Sequence, residues 1–176
     1  MNCFANELAE AAGRDPLELL LELIGEADVL DLTKDGVEKY WNYGDSVDDW
    51  PIMPKRLSNV LRRVAAESGY GRAMAKGHVL GLACHRSFGN SIARHGRITT
   101  TGGAVDQSNF HDYPVTRIDD APLDVRVHIV EDYVALPPCG VGEPGVPPYT
   151  PALLNAIYQA TGKRIRQLPI GDQLKA

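Results

Sequence analysis

Glu143 stands in a loop of glycine and proline, GVGEPGVPP over residues 140–148, just ahead of a well-signalled helix. A carboxylate so placed has the makings of an acid/base group. Gly140, Gly142 and Gly145 carry no side chain and let a ligand approach the backbone closely, while Pro144, Pro147 and Pro148 limit the loop's freedom. To accept a proton near neutral pH, the group needs hydrogen-bond reach of the reacting atom and a site enclosed enough to raise its pKa. The same letters satisfy G-x-G-x-x-G, the fingerprint of dinucleotide sites, and we reject that alternative on two grounds. Such a loop passes from a strand into a helix at its third glycine, so that helix N–H groups meet a pyrophosphate. Here Val146, Pro147 and Pro148 follow, which puts the expected helix start near Thr150. Glu143 would also repel the phosphate. For residues 140–142 the structural alternative is a tight turn of the kind any Gly-x-Gly makes.

The remaining candidates are weaker. His111 with Asp112, Asp48 with Asp49, and Asp119 with Asp120 are adjacent pairs, and neighbours on a strand point to opposite faces, so none makes a catalytic dyad. No G-x-S-x-G elbow surrounds Ser87 or Ser91. The histidines lack H-x-x-x-H spacing, and Cys3, Cys84 and Cys139 lack C-x-x-C spacing. Neither set has a metal-binding spacing, and we read the cysteines as reduced thiols.

The elements that must position Glu143 are α and β. The chain of 176 residues has the length of one domain, and 44% hydrophobic with 23% charged residues argues against disorder throughout. A net charge of -5, with no basic block beyond Arg62-Arg63 and Lys163-Arg164, excludes an electrostatic footprint for nucleic acid. No basic stretch followed by an apolar run opens the sequence, and Leu17–Ile24 is too short to cross a bilayer. The expectation is a cytoplasmic protein without membrane insertion, or a periplasmic one if a partner carries it there.

Residues 3 to 25 read as two helices split at Gly13, with Asp15 as N-cap, Pro16 at the first helical position and Glu18 completing a capping box. Leu17, Leu20, Leu21 and Ile24 share one face at helical spacing. From about 28 to 53 runs a loop-rich connection whose aromatics, Tyr40, Trp41, Tyr43 and Trp50, we expect to form satellite core, with packing onto a partner surface as the alternative. Pro54–Ser68 is expected as a helix with Leu57, Val60, Leu61 and Val64 inward, ending near Gly69. The apolar run His78–Ser87 predicts a buried strand followed by a turn at Phe88-Gly89. Further strands are expected at 97–101, 104–110 and 123–130, with Gly102-Gly103 as a hairpin turn and Val125, Val127 and Ile129 as the alternation of the last. A final helix is expected from the Thr150 cap and Pro151, with Leu153, Leu154, Ile157 and Tyr158 inward and Gly162 at its end. The fold class is α+β: one domain over residues 1–176 with a small mixed or antiparallel sheet and packed helices.

Three ordered blocks carry a resemblance. They are CFANELAEAAGRDPLELLLELIG at residues 3–25, the strand ending in Ser87-Phe88-Gly89, and residues 97–170 with VDQSNFHDYPVTR and GVGEPGVPPYTPALLNAIYQATGKR. Together they resemble the C-terminal part of the molybdopterin-binding large subunit of the xanthine oxidase and aldehyde oxidoreductase family, in the branch that holds the isoquinoline 1-oxidoreductase beta subunits. The resemblance implies a partial molybdopterin-binding domain and a molybdenum hydroxylase that oxidises an aldehyde or N-heterocycle with oxygen from water. Glu143 then matches the catalytic base, and Gly140, Val141 and Gly142 match the backbone that approaches the cofactor. It implies a molybdenum-molybdopterin cofactor, in its plain or cytosine dinucleotide form, whose metal the pterin sulfurs hold. Iron-sulfur or heme centres would belong to partner subunits. Family members are several times longer, and between Ala93 and Arg97 this chain jumps from one strand to a much later one. The expectation is thus an abbreviated piece, active only with the remaining molybdopterin-subunit chain and an iron-sulfur subunit. The alternative is a cofactor-free relic or interaction module of the same fold.

Overall fold

A capping aspartate and a proline decide where the N-terminal helices divide. In the computed structural model of the chain, residues 1–42, 44, 46–75, 77–87, 90–96, 124–131, 135–136, 139–168 and 170–175 are described, with 90–96 for their backbone alone. Helix α1 spans Asn2–Ala11 and α2 spans Pro16–Ile24. The Asp15 carboxylate accepts from the N–H groups of Leu17 at 2.8 Å and Glu18 at 3.0 Å, which satisfies two donors that the first helical turn leaves over. Helix α3, Pro54–Ser68, stops at Gly69, whose φ of 65° is left-handed and cheap only for glycine. Strands β1, Gly81–Ser87, and β2, Asn90–Gly96, pair antiparallel with Leu82 opposite His95 and Ser87 opposite Asn90. Helix α4 runs Val146–Thr161 and ends at Gly162. Short 3₁₀ turns lie at Leu32–Asp35 and Gly171–Leu174.

A two-stranded sheet is marginal by itself, so the helices on its faces supply the stability. Leu82 and Cys84 point toward α2 and α3 and join Leu61 and Ala65, with Leu17, Leu20, Leu21 and Ile24 packed against them. Leu61 is fully buried, a burial worth roughly 1.5–3 kcal/mol. Gly81 sits directly beneath α4: a Cβ there would lie 1.9 Å from the Ala152 carbonyl oxygen and 2.5 Å from the Ala156 nitrogen. Along α4, Leu153 and Ile157 pack with Ile165 into a second cluster that reaches the C-terminal segment.

One edge of β1 pairs with β2, and the other is closed by side chains. Asn2 donates through Nδ2 to the Cys84 carbonyl at 3.0 Å, and its Oδ1 accepts from the Cys84 N–H at 3.1 Å. Asn155 of α4 donates to the Leu82 carbonyl at 3.1 Å. Two asparagines thus take the place of a neighbouring strand and satisfy backbone groups that would otherwise be buried unpaired.

The α+β class stands, with an antiparallel sheet, and three details differ from expectation. Helix α4 begins at Val146, a full turn before Thr150, and Pro151 lies inside it. Pro147 and Pro148 fit the first turn, where no intrahelical N–H bond is needed, so they start the helix and do not delay it. Residues 124–130 form no strand, and Val125, Val127 and Ile129 are 68%, 81% and 79% exposed. Alternation makes a strand only when another strand lies beside it. In the connection, Tyr40 and Trp41 are exposed and Trp50 is half-buried, so these three do not form the expected satellite core, and Tyr43 lies outside the described residues. Asn42 is buried there instead, donating to the Trp50 carbonyl at 3.0 Å and accepting from Arg86. The strands expected at 97–101 and 104–110, with the turns at Phe88-Gly89 and Gly102-Gly103, lie outside the described residues.

Candidate functional site

The loop carrying Glu143 is anchored from below and open above. Pro144 and Gly145 are buried, and the Glu143 carbonyl accepts from the Val146 N–H at 2.9 Å, which ties the residue to the first turn of α4. The Glu143 side chain is exposed, as are Gly140, Val141 and Gly142. A Cβ built on Gly140 or Gly142 would meet nothing within 4 Å, and neither residue takes a positive φ. Nothing in the described fold therefore requires glycine at these two positions.

Because α4 starts directly after Gly145, one of the two grounds for rejecting a dinucleotide site falls. A stronger one replaces it. The Val146 N–H is already bonded to Glu143, and Pro147 and Pro148 have no N–H at all. The helix end thus lacks most of the donors that hold a phosphate. No strand occupies the described residues 139–145 either.

The other polar candidates are dispersed. Ser87 is buried at the end of β1, while Asp48 and Asp49 are exposed in the connection. Burial lowers the pKa of His85 from its ordinary value, because a desolvated site disfavours the charged imidazolium. His128 Nδ1 lies 4.0 Å from Glu67 Oε2. Among the described residues no group of three or more His, Cys, Asp or Glu could hold a metal ion. His111, Asp112, Asp119 and Asp120 lie outside the described residues. Cys3, Cys84 and Cys139 are thiols that form no disulfide. Burial pushes the Cys84 thiol up to about 12, and it also raises Cys3, so neither is an activated nucleophile. Among the described residues no helix is long and apolar enough to cross a membrane.

Hydrophobic periodicity does not reveal a set of buried uncharged polar groups around α1, β1 and α4. Asn6 is 7% exposed and accepts from Arg164, whose guanidinium lies 3.3 Å from the centre of the Tyr158 ring. Asn155 is 3% exposed; apart from this set, Ser58 of α3 is fully buried and donates to the Gly25 carbonyl at 2.9 Å. The signal that could have found them is asparagine on the core-facing side of a helix, a poor helix former that is kept there for a hydrogen bond.

Comparison with known proteins gives two relatives. The chain is 38% identical over 86 residues to the beta subunit of isoquinoline 1-oxidoreductase from Brevundimonas diminuta, a match covering 49% of this chain and 11% of the relative. It is 26% identical over 209 aligned positions to a nicotinate dehydrogenase subunit of Pseudomonas putida, covering 95% of this chain and 17% of that relative. The second alignment is longer than the chain of 176 residues, so the relative carries residues within the matched stretch that this chain lacks. No protein-family model matches the chain. The chain spans less than a fifth of either relative and is similar to a part of each, and both relatives are named as subunits of oxidoreductases.

Proposed function

We propose that the chain is part of a molybdenum hydroxylase, to which it contributes Glu143 as the proton acceptor in oxidation of an aldehyde or N-heterocycle. The observation that carries this reading is the loop itself. A single carboxylate stands on a buried proline-glycine base at the head of α4, facing outward, in a chain similar to two oxidoreductase subunits. Gly140, Val141 and Gly142 lie beside it as a strip along which a large ligand can pass without meeting bulky side chains, Val141 apart.

The described residues do not form a molybdopterin pocket. The loop is open, and a cofactor of that size needs walls on several sides. The cofactor would be held by the polypeptide that supplies the rest of the relatives' length, with an iron-sulfur or heme subunit as the electron acceptor. This chain's own part is limited to presenting the Glu143 carboxylate and accepting a proton at one of its oxygens. Docking of the second polypeptide would enclose the group and exclude water from it.

The openness of the same loop favours a second reading, a cofactor-free structural or interaction module. One experiment separates the two. The chain is co-expressed with the other subunits from its genomic neighbourhood in a host that makes the cofactor, and molybdenum and pterin are measured per purified complex. Near-stoichiometric cofactor in a complex containing this chain is expected. A folded chain that enters no cofactor-bearing complex would leave the interaction module as the correct reading.

A further inference from the structure

Residues 124–130, DVRVHIV, keep their polar side chains to the protein and give their apolar ones to solvent. Asp124 and Arg126 pair with each other at 2.9 Å, and His128 Nδ1 lies 4.0 Å from Glu67 of α3. Val125, Val127 and Ile129, which alternate with them, are among the most exposed large apolar residues described. Among the described residues no backbone hydrogen bond reaches the segment. β-branched residues in strict alternation are the composition of a half-buried strand. Proteins guard an exposed edge of that kind with unpaired charge or proline. Here Asp124 neutralises Arg126 and no proline interrupts the run, so nothing within it opposes pairing.

Two observations narrow what covers this strip. A stable interface between two proteins takes about 20–30 residues a side, so a strip this short is too small to hold two copies of the chain together. One relative carries residues inside the matched stretch that this chain lacks, and both relatives are far longer than this chain. We propose that residues 124–130 form a docking edge for the polypeptide that supplies that missing length. A segment of it, alternating apolar and polar in the same way, lies alongside as the neighbouring strand. Its backbone takes up the N–H and C=O groups of residues 124–130, and its apolar side chains flank Val125, Val127 and Ile129. On the function proposed above, this is a place where the second polypeptide attaches.

Amide hydrogen exchange, read by mass spectrometry on the full chain alone and in the complex co-expressed with the other subunits of its genomic neighbourhood, tests this. Residues 125–130 are expected to exchange at the shortest labelling time in the isolated chain and to slow by about 100-fold or more in the complex. Slow exchange in the isolated chain would overturn the inference: in a monomer its own residues would be the occupant, and in a dimer seen by sedimentation a second copy would be. A cofactor-bearing complex in which the segment still exchanges freely would overturn it and leave the proposed function standing. Failure of any complex to form would remove both. As a second readout, Val127→Asp places a charge on an exposed position and is expected to leave the isolated chain folded while lowering recovery of the partner about 10-fold or more. Undiminished recovery would overturn the inference.

Discussion

At the junction of α1, β1 and α4 the polar side chains turn inward and are spent on backbone: Asn2 on Cys84, Asn155 on Leu82. At the head of the same helix α4, the loop with Glu143 turns outward, with Val141 and Val146 exposed at 69% and 68%. The first region is closed by its own chain, so tightly that Gly81 has no room for a methyl group. The second has the residue types of a reactive site and, among the described residues, none of its walls. The difference teaches that this chain uses its internal interactions to hold α4 in place, and leaves the loop at the head of α4 exposed.

The sharpest way to break the comparison is to add the same atoms in both regions. Gly81→Ala is expected to abolish folding or cost roughly 3 kcal/mol or more, since the obstruction is the backbone of Ala152 and Ala156. Gly142→Ala, with nothing within 4 Å, is expected to change stability by no more than about 0.5 kcal/mol. Urea unfolding of both variants checks the pair, and equal effects would remove the distinction between a closed and an open region. Next in size is Asn2→Ala, which leaves the N–H and carbonyl of Cys84 without their partner and is expected to cost about 1–3 kcal/mol by the same measurement.

The Cys84 thiol sharpens the same contrast through pH. Burial raises its folded pKa to about 12 from an ordinary 9.0, so the folded state holds the proton more tightly than the unfolded chain does. The stability this contributes is fully present below the unfolded value and is lost as pH rises from there toward the folded one. Unfolding midpoints are expected to fall over that window, and Cys84→Ser should flatten the fall. The smallest expected effect lies on the exposed segment 124–130: Val127→Thr should leave stability within about 0.5 kcal/mol of the parent while weakening any self-association seen by sedimentation.

Much of the helical frame is legible in the residues. Asp15 with Pro16 and the glycines at 69 and 162 act as local signals, because caps and left-handed stops are set within a few residues of the chain. The start of α4 is harder to read because proline breaks a helix in its interior and starts one in its first turn. Val125, Val127 and Ile129 have the alternation of a strand, but a strand is a property of two segments, and the partner is not written in either one alone. Asn2 and Asn155 give little warning, since their role is to close an edge contributed by residues some 80 positions away from Asn2. For the candidate site, the loop position of Glu143 is legible. Its exposure is not, because enclosure depends on what else surrounds the loop.

Turnover of the assembled complex carrying Glu143→Gln is the most direct test of the account, with cofactor content held equal to that of the wild-type complex. The substitution keeps the shape of an exposed side chain and removes its ability to take a proton. The expected result is unchanged assembly with turnover reduced by about 10²–10⁴-fold, the usual weight of a general base. Undiminished turnover in that complex would contradict the assignment and leave Glu143 as an ordinary loop residue.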